Sequence, residues 1–92
     1  NVLIQFYVDI GHDMHVGRHS VVSSNAAVGG RTRIGEQTYI GLGATIRDKL
    51  SIGSDTIVSM GAVVYRDVAD GVIAVGNPAR VVRNNEKGAI FK

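Results

Sequence analysis

A β-branched residue stands at every sixth position through most of this 92-residue chain. The series has eleven members: Ile4, Ile10, Val16, Val22, Val28, Ile34, Ile40, Ile46, Ile52, Val58 and Val64. Valine and isoleucine together make up 23 of the 92 residues, so an unbroken series of eleven in one phase is not a chance event. A fixed period of this kind is the mark of a repeat architecture.

Two further features keep the same phase. Glycine follows the aliphatic residue at Gly11, Gly17, Gly29, Gly35, Gly41 and Gly53, and a small residue usually stands four positions after it. A period of six matches neither the 3.6 of a helix nor plain alternation, and it is typical of short strands joined by regular corners. We expect the aliphatic residue and the small residue two before it to point inward. We expect the glycine to supply the unusual backbone angles of each corner.

Three such strands close a triangular coil of eighteen residues, and successive coils pair as parallel strands. The sequence therefore predicts an all-β, hexapeptide-repeat parallel β-helix over residues 1–69, with about 3.7 coils. The pattern fails at Asp70, and residues 70–92 are predicted to form a C-terminal loop and a short basic tail, with segment 72–79 leaving the coil. Because the register already runs at Ile4 without a cap, we expect an upstream domain in the natural protein.

Composition excludes several classes of function. The sequence has no cysteine, a net charge of +2 and five aromatic residues. No apolar run approaches the ~20 residues of a membrane span, and no signal peptide opens the chain. These features predict a cytoplasmic protein with no disulfide, no membrane partner and no nucleic-acid partner.

Several segments resemble bacterial hexapeptide-repeat acyltransferases. They are Gly-His-Asp-Met-His-Val-Gly at 11–17, the Gly-containing stretches 28–30, 34–35, 40–44 and 60–64, and Asp-Val at 67–68 with Gly-Asn-Pro-Ala-Arg at 76–80. Within that group the chain most resembles the family of sialic-acid O-acetyltransferases and UDP-amino-sugar N-acetyltransferases. The resemblance implies a left-handed coil and transfer of acetyl from acetyl-CoA to a sugar or sugar nucleotide. It also implies an upstream domain that binds the sugar nucleotide.

The eighteen-residue coil places His12 one strand spacing from Gly30. Acetyl transfer needs a base for the incoming amine or hydroxyl and a donor for the oxyanion. An imidazole titrates near neutrality and suits the first task, and the N–H of Gly30 suits the second because no Cβ blocks close approach. Asp13 would orient the imidazole. The predicted catalytic residues are therefore His12, Asp13 and Gly30, and the resemblance assigns the same roles to the histidine and the glycine.

For the donor, small residues stand on corners eighteen apart. Gly43, Gly61 and Ala62 are predicted to offer backbone to the pantetheine arm of coenzyme A, and Arg80 is predicted to pair with phosphate. The alternatives are that glycine and alanine only satisfy tight packing, and that Arg80 and Arg83 belong to a solvated tail.

Outward apolar positions predict contact between copies of the chain. They are Phe6, Tyr7, Val21, Tyr39, Ile57 and Val63. The resemblance implies a homotrimer with active sites between subunits.

Other functions stay open at this point. An acyl-carrier-protein-dependent sugar acyltransferase would carry a similar His-Asp segment, although the Asn-Pro-Ala-Arg ending favours coenzyme A. His12, His15 and His19 raise a metal hydratase of the γ-carbonic-anhydrase kind, but they crowd one coil and point in different directions, so no metal is expected. His15 and His19 are predicted to be surface or interface residues. A non-catalytic solenoid scaffold is the last alternative.

Overall fold

The computed structural model describes residues 3–4, 9–10 and 13–84, and these residues form strands and turns without a helix. Eleven two-residue strands follow one another at six-residue intervals within this part, and two longer strands come after them. The bounds are β1 Leu3–Ile4, β2 Asp9–Ile10, β3 His15–Val16, β4 Val21–Val22, β5 Ala27–Val28, β6 Arg33–Ile34, β7 Tyr39–Ile40, β8 Thr45–Ile46, β9 Ser51–Ile52, β10 Ile57–Val58, β11 Val63–Val64, β12 Val72–Val75 and β13 Arg80–Asn84. Nothing in the described ranges forms a helix of the length and apolarity that a membrane crossing requires.

The strands stack into three sheets. Sheet A contains β1, β4, β7, β10, β12 and β13, sheet B contains β2, β5, β8 and β11, and sheet C contains β3, β6 and β9. Residues that pair across neighbouring parallel strands of the eleven repeats are eighteen apart, as in Val21↔Tyr39 and Val28↔Ile46. The predicted solenoid of three-sided coils is confirmed.

Three corners join the sheets in every coil. The A–B corner comprises residues 23–25, 41–43 and 59–61, the B–C corner 29–31, 47–49 and 65–67, and the C–A corner 17–19, 35–37 and 53–55. Because the strands on both sides of most corners keep the eighteen-residue register, residues eighteen apart on these corners stack in a column. The exception is the B–C corner at residues 65–67, after which Val68 pairs with Ile52, sixteen residues away. Each corner is therefore a separate surface with its own chemistry.

The core is a column of inward side chains from the two predicted positions of each repeat. These residues are buried: Ser20, Val22, Ala26, Val28, Thr32, Ile34, Thr38, Ile40, Ala44, Ile46, Leu50, Ile52, Thr56, Val58, Ala62 and Val64. Burying one valine or isoleucine side chain stabilises a fold by roughly 1.5–3 kcal/mol. Stacking thus stabilises strands that are too short to persist alone.

Hydroxyl groups in this core bond to the backbone of neighbouring coils. The Ser20 hydroxyl donates to the Gly35 carbonyl at 2.6 Å and accepts the Thr38 N–H at 3.0 Å. The Thr38 hydroxyl donates to the Gly53 carbonyl at 2.7 Å. A buried hydroxyl without a partner costs free energy, so these bonds make threonine and serine acceptable at inward positions.

The glycine after each aliphatic residue has a different role from the one expected. The residue with positive φ lies two positions later, and it is Asp13, His19, Asn25, Arg31, Gln37, Gly43, Lys49, Asp55 or Gly61. The glycines instead leave room for the next coil: a Cβ on Gly17 would lie 2.7 Å from the Gly35 carbonyl group, and one on Gly41 would lie 2.5 Å from the Met60 nitrogen. Close contact between coils, and not a left-handed φ, requires these glycines.

The C-terminal part also differs from the expectation that segment 72–79 leaves the coil. Strand β12 continues sheet A, since Ile57 pairs with Ile73 in parallel, and Val72 and Ala74 are buried in the core. This last coil is two residues shorter than the others, and the Asp70 carboxylate accepts the Ser54 N–H at 2.7 Å where it turns. Strand β13 then pairs with β12 in antiparallel fashion and ends the described part of sheet A.

Candidate active site

The predicted base, His12, lies outside the described residues, and its role stays a prediction. Asp13 is exposed and begins the described stretch, with a left-handed φ of 58°. The strand pairs on either side of this corner, β2 with β5 and β3 with β6, keep the eighteen-residue register. That register is the premise on which the pairing of position 12 with Gly30 was predicted.

Gly30 is half-buried on the B–C corner. Its carbonyl accepts the Lys49 N–H from the next coil at 2.9 Å. Within the described residues no backbone carbonyl accepts the Gly30 N–H. A backbone N–H of a residue without a side chain, not donated to any described backbone carbonyl, is the kind of group that stabilises an oxyanion.

The predicted donor residues fall into two environments on the A–B corner. Gly43 and Gly61 are exposed, with φ of 66° and 70°, and a Cβ added to either would meet no atom within 4 Å. Their N–H groups already donate to the coil below, from Gly43 to Ser24 at 3.1 Å and from Gly61 to Leu42 at 2.8 Å. Among the described residues no backbone N–H donates to the carbonyl of Gly43 or Gly61.

Ala62 stands apart from the two glycines. It is fully buried, its N–H donates to the Ser59 carbonyl at 3.1 Å, and its carbonyl accepts the Thr45 N–H at 2.8 Å. The alternative considered for the small residues, tight packing, describes the surroundings of Ala62 and does not describe those of Gly43 and Gly61.

Arg80 lines a cleft of about 360 Å³ at the C-terminal end of the solenoid. The cleft lies between Tyr65 and Arg66, which follow β11, and Pro78, Ala79 and Arg80. Two hydrogen bonds hold the turn in place: Val63 donates to the Gly76 carbonyl at 2.9 Å, and Ala79 donates to the Val63 carbonyl at 2.8 Å. The Asn77–Pro78 peptide within this turn is cis.

Sequence reasoning missed Tyr65 and Arg66 as part of this cleft. Both side chains are exposed, and Tyr65 is 49% accessible to solvent. The available signal was positional, because Tyr65 occupies the place after the aliphatic residue where most repeats carry glycine. The large ring of Tyr65 at that place points outward from the B–C corner.

The remaining histidines are exposed and lie on different parts of the coil. His15 is on the outer face of sheet C, and His19 is on the C–A corner. In the described part of the chain no three histidine, aspartate or glutamate side chains come together as a set of metal ligands. His12 is not in that part, so the metal alternative has not been tested.

The outer faces of the three sheets differ in polarity. Sheet A presents half-buried Val21, Tyr39 and Ile57, whereas sheet C presents His15, Arg33 and Ser51. Leu42 and Met60 on the A–B corner are exposed by 48% and 72%. Of the residues predicted to make contacts between copies, Phe6 and Tyr7 lie outside the described residues.

Comparison with known proteins places the fold among acyltransferases. No protein-family model matches the sequence, and no curated protein matches it. Among solved structures, a mutant of perosamine N-acetyltransferase from Caulobacter crescentus, in complex with CoA and GDP-perosamine, is 25% identical, with a TM-score of 0.71 over 87% of this chain and 52% of its own. UDP-N-acetylglucosamine O-acyltransferase from Moraxella catarrhalis is 29% identical, with a TM-score of 0.81 over 88% of this chain and 36% of its own. A maltose O-acetyltransferase from Clostridium difficile, 19% identical with a TM-score of 0.56 over 94% of this chain and 64% of its own, shares the fold.

These neighbours are hexapeptide-repeat acyltransferases, and the predicted left-handed parallel β-helix is confirmed. The chain spans less than two thirds of the length of each of the three neighbours.

Proposed function

We propose that this chain belongs to an acetyl-CoA-dependent acetyltransferase that acts on an amine or hydroxyl of a sugar or sugar nucleotide. The observation that carries the proposal is the likeness to the perosamine N-acetyltransferase, whose structure contains CoA and GDP-perosamine. The specific family proposed is that of the sialic-acid O-acetyltransferases and UDP-amino-sugar N-acetyltransferases, and the proposed place of action is the cytoplasm.

The proposed reaction is a direct transfer. The acceptor nitrogen or oxygen attacks the thioester carbon, and the imidazole of His12 takes the proton that the acceptor loses. The N–H of Gly30 stabilises the oxyanion of the tetrahedral intermediate. The carbon–sulfur bond then breaks, and the imidazolium returns the proton to the thiolate of coenzyme A. Asp13 orients the imidazole and stabilises its charged form.

The donor is proposed to lie along the A–B corner. The carbonyls of Gly43 and Gly61, to which no described backbone N–H donates, support this, because each can accept an N–H from the pantetheine arm. The cleft beside Arg80 supports a phosphate site at the C-terminal end, since its guanidinium offers a planar pair of donors. Ala62 would act here only through the packing that shapes the corner.

The assembly is proposed to be a homotrimer with active sites between subunits. The apolar outer face of sheet A supports this, together with Leu42 and Met60 on the neighbouring corner. In such an assembly the B–C corner of one subunit would work opposite the A–B corner of its neighbour.

The test is a thioester-consumption assay on the full-length natural protein with amino-sugar nucleotides and sialic acid as acceptors. The substitution His12→Ala is expected to lower kcat at least about a hundredfold, which is the usual contribution of a general base. His19→Asn is the matched control, since it removes an exposed imidazole from another corner and asparagine tolerates the positive φ there. Unchanged turnover in His12→Ala would contradict the assigned base.

The second candidate donor is an acyl-carrier-protein thioester. The likeness to an O-acyltransferase of UDP-N-acetylglucosamine favours testing an acyl donor other than acetyl-CoA. The same assay with acyl-carrier-protein thioesters separates the two. Faster turnover of the carrier-protein thioester than of acetyl-CoA would replace the proposed donor and leave the role of His12 unchanged.

A further inference from the structure

The last coil of the solenoid is shortened at one particular corner. Strand β11 still pairs with β8 at the usual separation of eighteen residues, as in Val63↔Thr45. Val68, which follows the next corner, pairs with Ile52 at a separation of sixteen. The B–C corner at residues 65–67 is therefore the place where two residues are missing. A corner that lacks two residues also lacks backbone groups with which the preceding coil would otherwise bond.

A side-chain carboxylate replaces a backbone carbonyl at this corner. In the preceding coil, the N–H of Arg33 at the start of β6 donates to the Leu50 carbonyl at 2.9 Å. The equivalent N–H at the start of β9 is that of Ser51, and it donates to the Asp67 carboxylate at 2.9 Å. Bonds from an N–H to a carboxylate are stronger than those between neutral groups. The Asp67 side chain thus connects the shortened corner to the strand beneath it.

The same corner forms one wall of the cleft at the C-terminal end. Tyr65 and Arg66 directly precede Asp67, and they line the cleft of about 360 Å³ opposite residues 78–80. That opposite wall is held separately, by the two backbone hydrogen bonds of Val63 described above. The bond of Asp67 to β9 fixes the corner that carries Tyr65 and Arg66. It therefore fixes the separation of the two walls.

A second carboxylate makes the same kind of bond on another corner of this coil. Asp70 accepts the Ser54 N–H at 2.7 Å on the C–A corner, which contributes none of the described residues that line the cleft. There the bond continues a series, because the Glu36 N–H donates to the Ser54 hydroxyl at 3.0 Å. Asp67 and Asp70 are both exposed, and only Asp67 adjoins the cleft. The two residues therefore separate an effect on the cleft from an effect on the whole coil.

We infer that Asp67 is a positioning residue for the donor, because its carboxylate holds the B–C corner at the separation from Arg80 that a phosphate of coenzyme A requires. The inference rests on the proposed function, which places a donor phosphate in this cleft. Asp67 acts through the backbone and does not touch the phosphate, since two negative groups repel each other. Loss of its charge alone would strengthen the binding of an anion, whereas loss of its hydrogen bond weakens it. The two effects differ in sign.

The test is calorimetric titration of the full-length protein with coenzyme A, comparing Asp67→Ala with Asp67→Asn. Both substitutions remove the charge, and only asparagine keeps an oxygen that can accept the Ser51 N–H. We expect Asp67→Ala to weaken coenzyme A binding at least about tenfold. We expect Asp67→Asn to bind coenzyme A at least as tightly as wild type, because the hydrogen bond is kept and the repulsion is removed.

Asp70→Ala is the matched control. It removes one carboxylate and the acceptor of one backbone N–H from the same coil, and we expect its affinity for coenzyme A to stay within about twofold of wild type. Amide hydrogen exchange reports on the bond itself. In Asp67→Ala the Ser51 amide should exchange at least about tenfold faster, with the Arg33 amide unchanged. A variant that fails to fold would lose protection at both amides.

Three results would overturn the inference and leave the proposed function standing. They are Asp67→Ala binding coenzyme A as wild type does or more tightly, Asp67→Asn losing as much affinity as Asp67→Ala, and Asp70→Ala losing as much as Asp67→Ala. Wild-type protein that does not bind coenzyme A would overturn the proposed donor and this inference with it. Absence of acetyl transfer, with all four affinities as expected, would count against the transferase proposal alone.

Discussion

Single residues at the corners decide how tightly the coils can stack. Within the part of the chain that the structure describes, seven residues other than glycine adopt a positive φ at the same place in their repeats. A left-handed conformation costs most L-residues roughly 1–2 kcal/mol, and asparagine and aspartate less than others. The fold accepts that cost repeatedly because each corner then returns the chain to the next sheet.

Gly41 and Gly43, two residues apart on the A–B corner, should respond to the same substitution to different degrees. Gly41→Ala places a Cβ 2.5 Å from the Met60 nitrogen, whereas Gly43→Ala places one in open space at a φ of 66°. We expect Gly41→Ala to lower the free energy of unfolding by about 3 kcal/mol, through displaced backbone, and Gly43→Ala by about 1 kcal/mol. Urea denaturation followed by circular dichroism measures both. An equal loss in the two variants would show that close stacking is not the reason for Gly41.

At this scale the sequence predicted which residues point inward but not which residue bends the backbone. Inward positions follow from the alternation along a strand, and Thr32, Thr38 and Thr56 are buried as that rule requires. The bending position carries aspartate, histidine, asparagine, arginine, glutamine, lysine and glycine in different repeats. Residue type therefore identifies the position with positive φ only weakly. The glycine two positions before it is required by close contact with the coil above, which only the three-dimensional structure shows.

The strands themselves contain two residues each in the eleven repeats, so their stability comes from contacts between coils. Backbone hydrogen bonds connect each of these strands to its partner in the next coil, and inward hydroxyls add hydrogen bonds near the corners. Thr38 illustrates this, because its hydroxyl on one coil donates to the Gly53 carbonyl on the next.

Thr38→Val should therefore destabilise the solenoid without changing its shape. The valine keeps the volume but leaves the half-buried Gly53 carbonyl without the hydroxyl that donates to it, at a cost of about 1–2 kcal/mol. Thr45→Val is the control, because Thr45 is exposed on the outer face of β8 and should change the free energy of unfolding by less than about 0.5 kcal/mol. Thermal or urea unfolding distinguishes them, and equal stability of the two variants would contradict the role given to this bond.

The regular elements could be predicted and the irregular one could not. Strands β1 to β11 follow the six-residue period, whereas β12 begins after a coil two residues shorter than the rest. A search at a fixed period loses the register there, although Val72 and Ala74 still alternate inward. The cleft beside Arg80 depends on this short coil, and for that reason Tyr65 and Arg66 were not predicted to line it.

The whole molecule has three faces and three edges of different character. The outer face of sheet A is apolar, the B–C corner carries Arg31, Arg47, Lys49 and Arg66, and the A–B corner carries no charged residue in its described ranges. A row of apolar residues on one outer face of a small domain is typical of contacts between copies.

Sedimentation measures the proposed trimer directly. Ile57→Glu introduces a charge at the centre of the outer face of sheet A, and we expect it to convert the trimer to monomers with unchanged circular dichroism. Ser51→Glu is the control, since it adds the same charge to the exposed face of sheet C and should leave the trimer intact. A wild-type monomer with full activity, or an Ile57→Glu trimer, would rule out an assembly through sheet A.

The eighteen-residue coil has a consequence for how such a molecule can vary in length. Inserting one whole revolution would lengthen the prism by a single strand spacing and return every downstream side chain to its own edge. Inserting one hexad would rotate all later residues by a third of a revolution. Any cation of the B–C corner that follows the insertion would then lie on a different corner. The height of the solenoid is thus free to change only in whole steps of its winding.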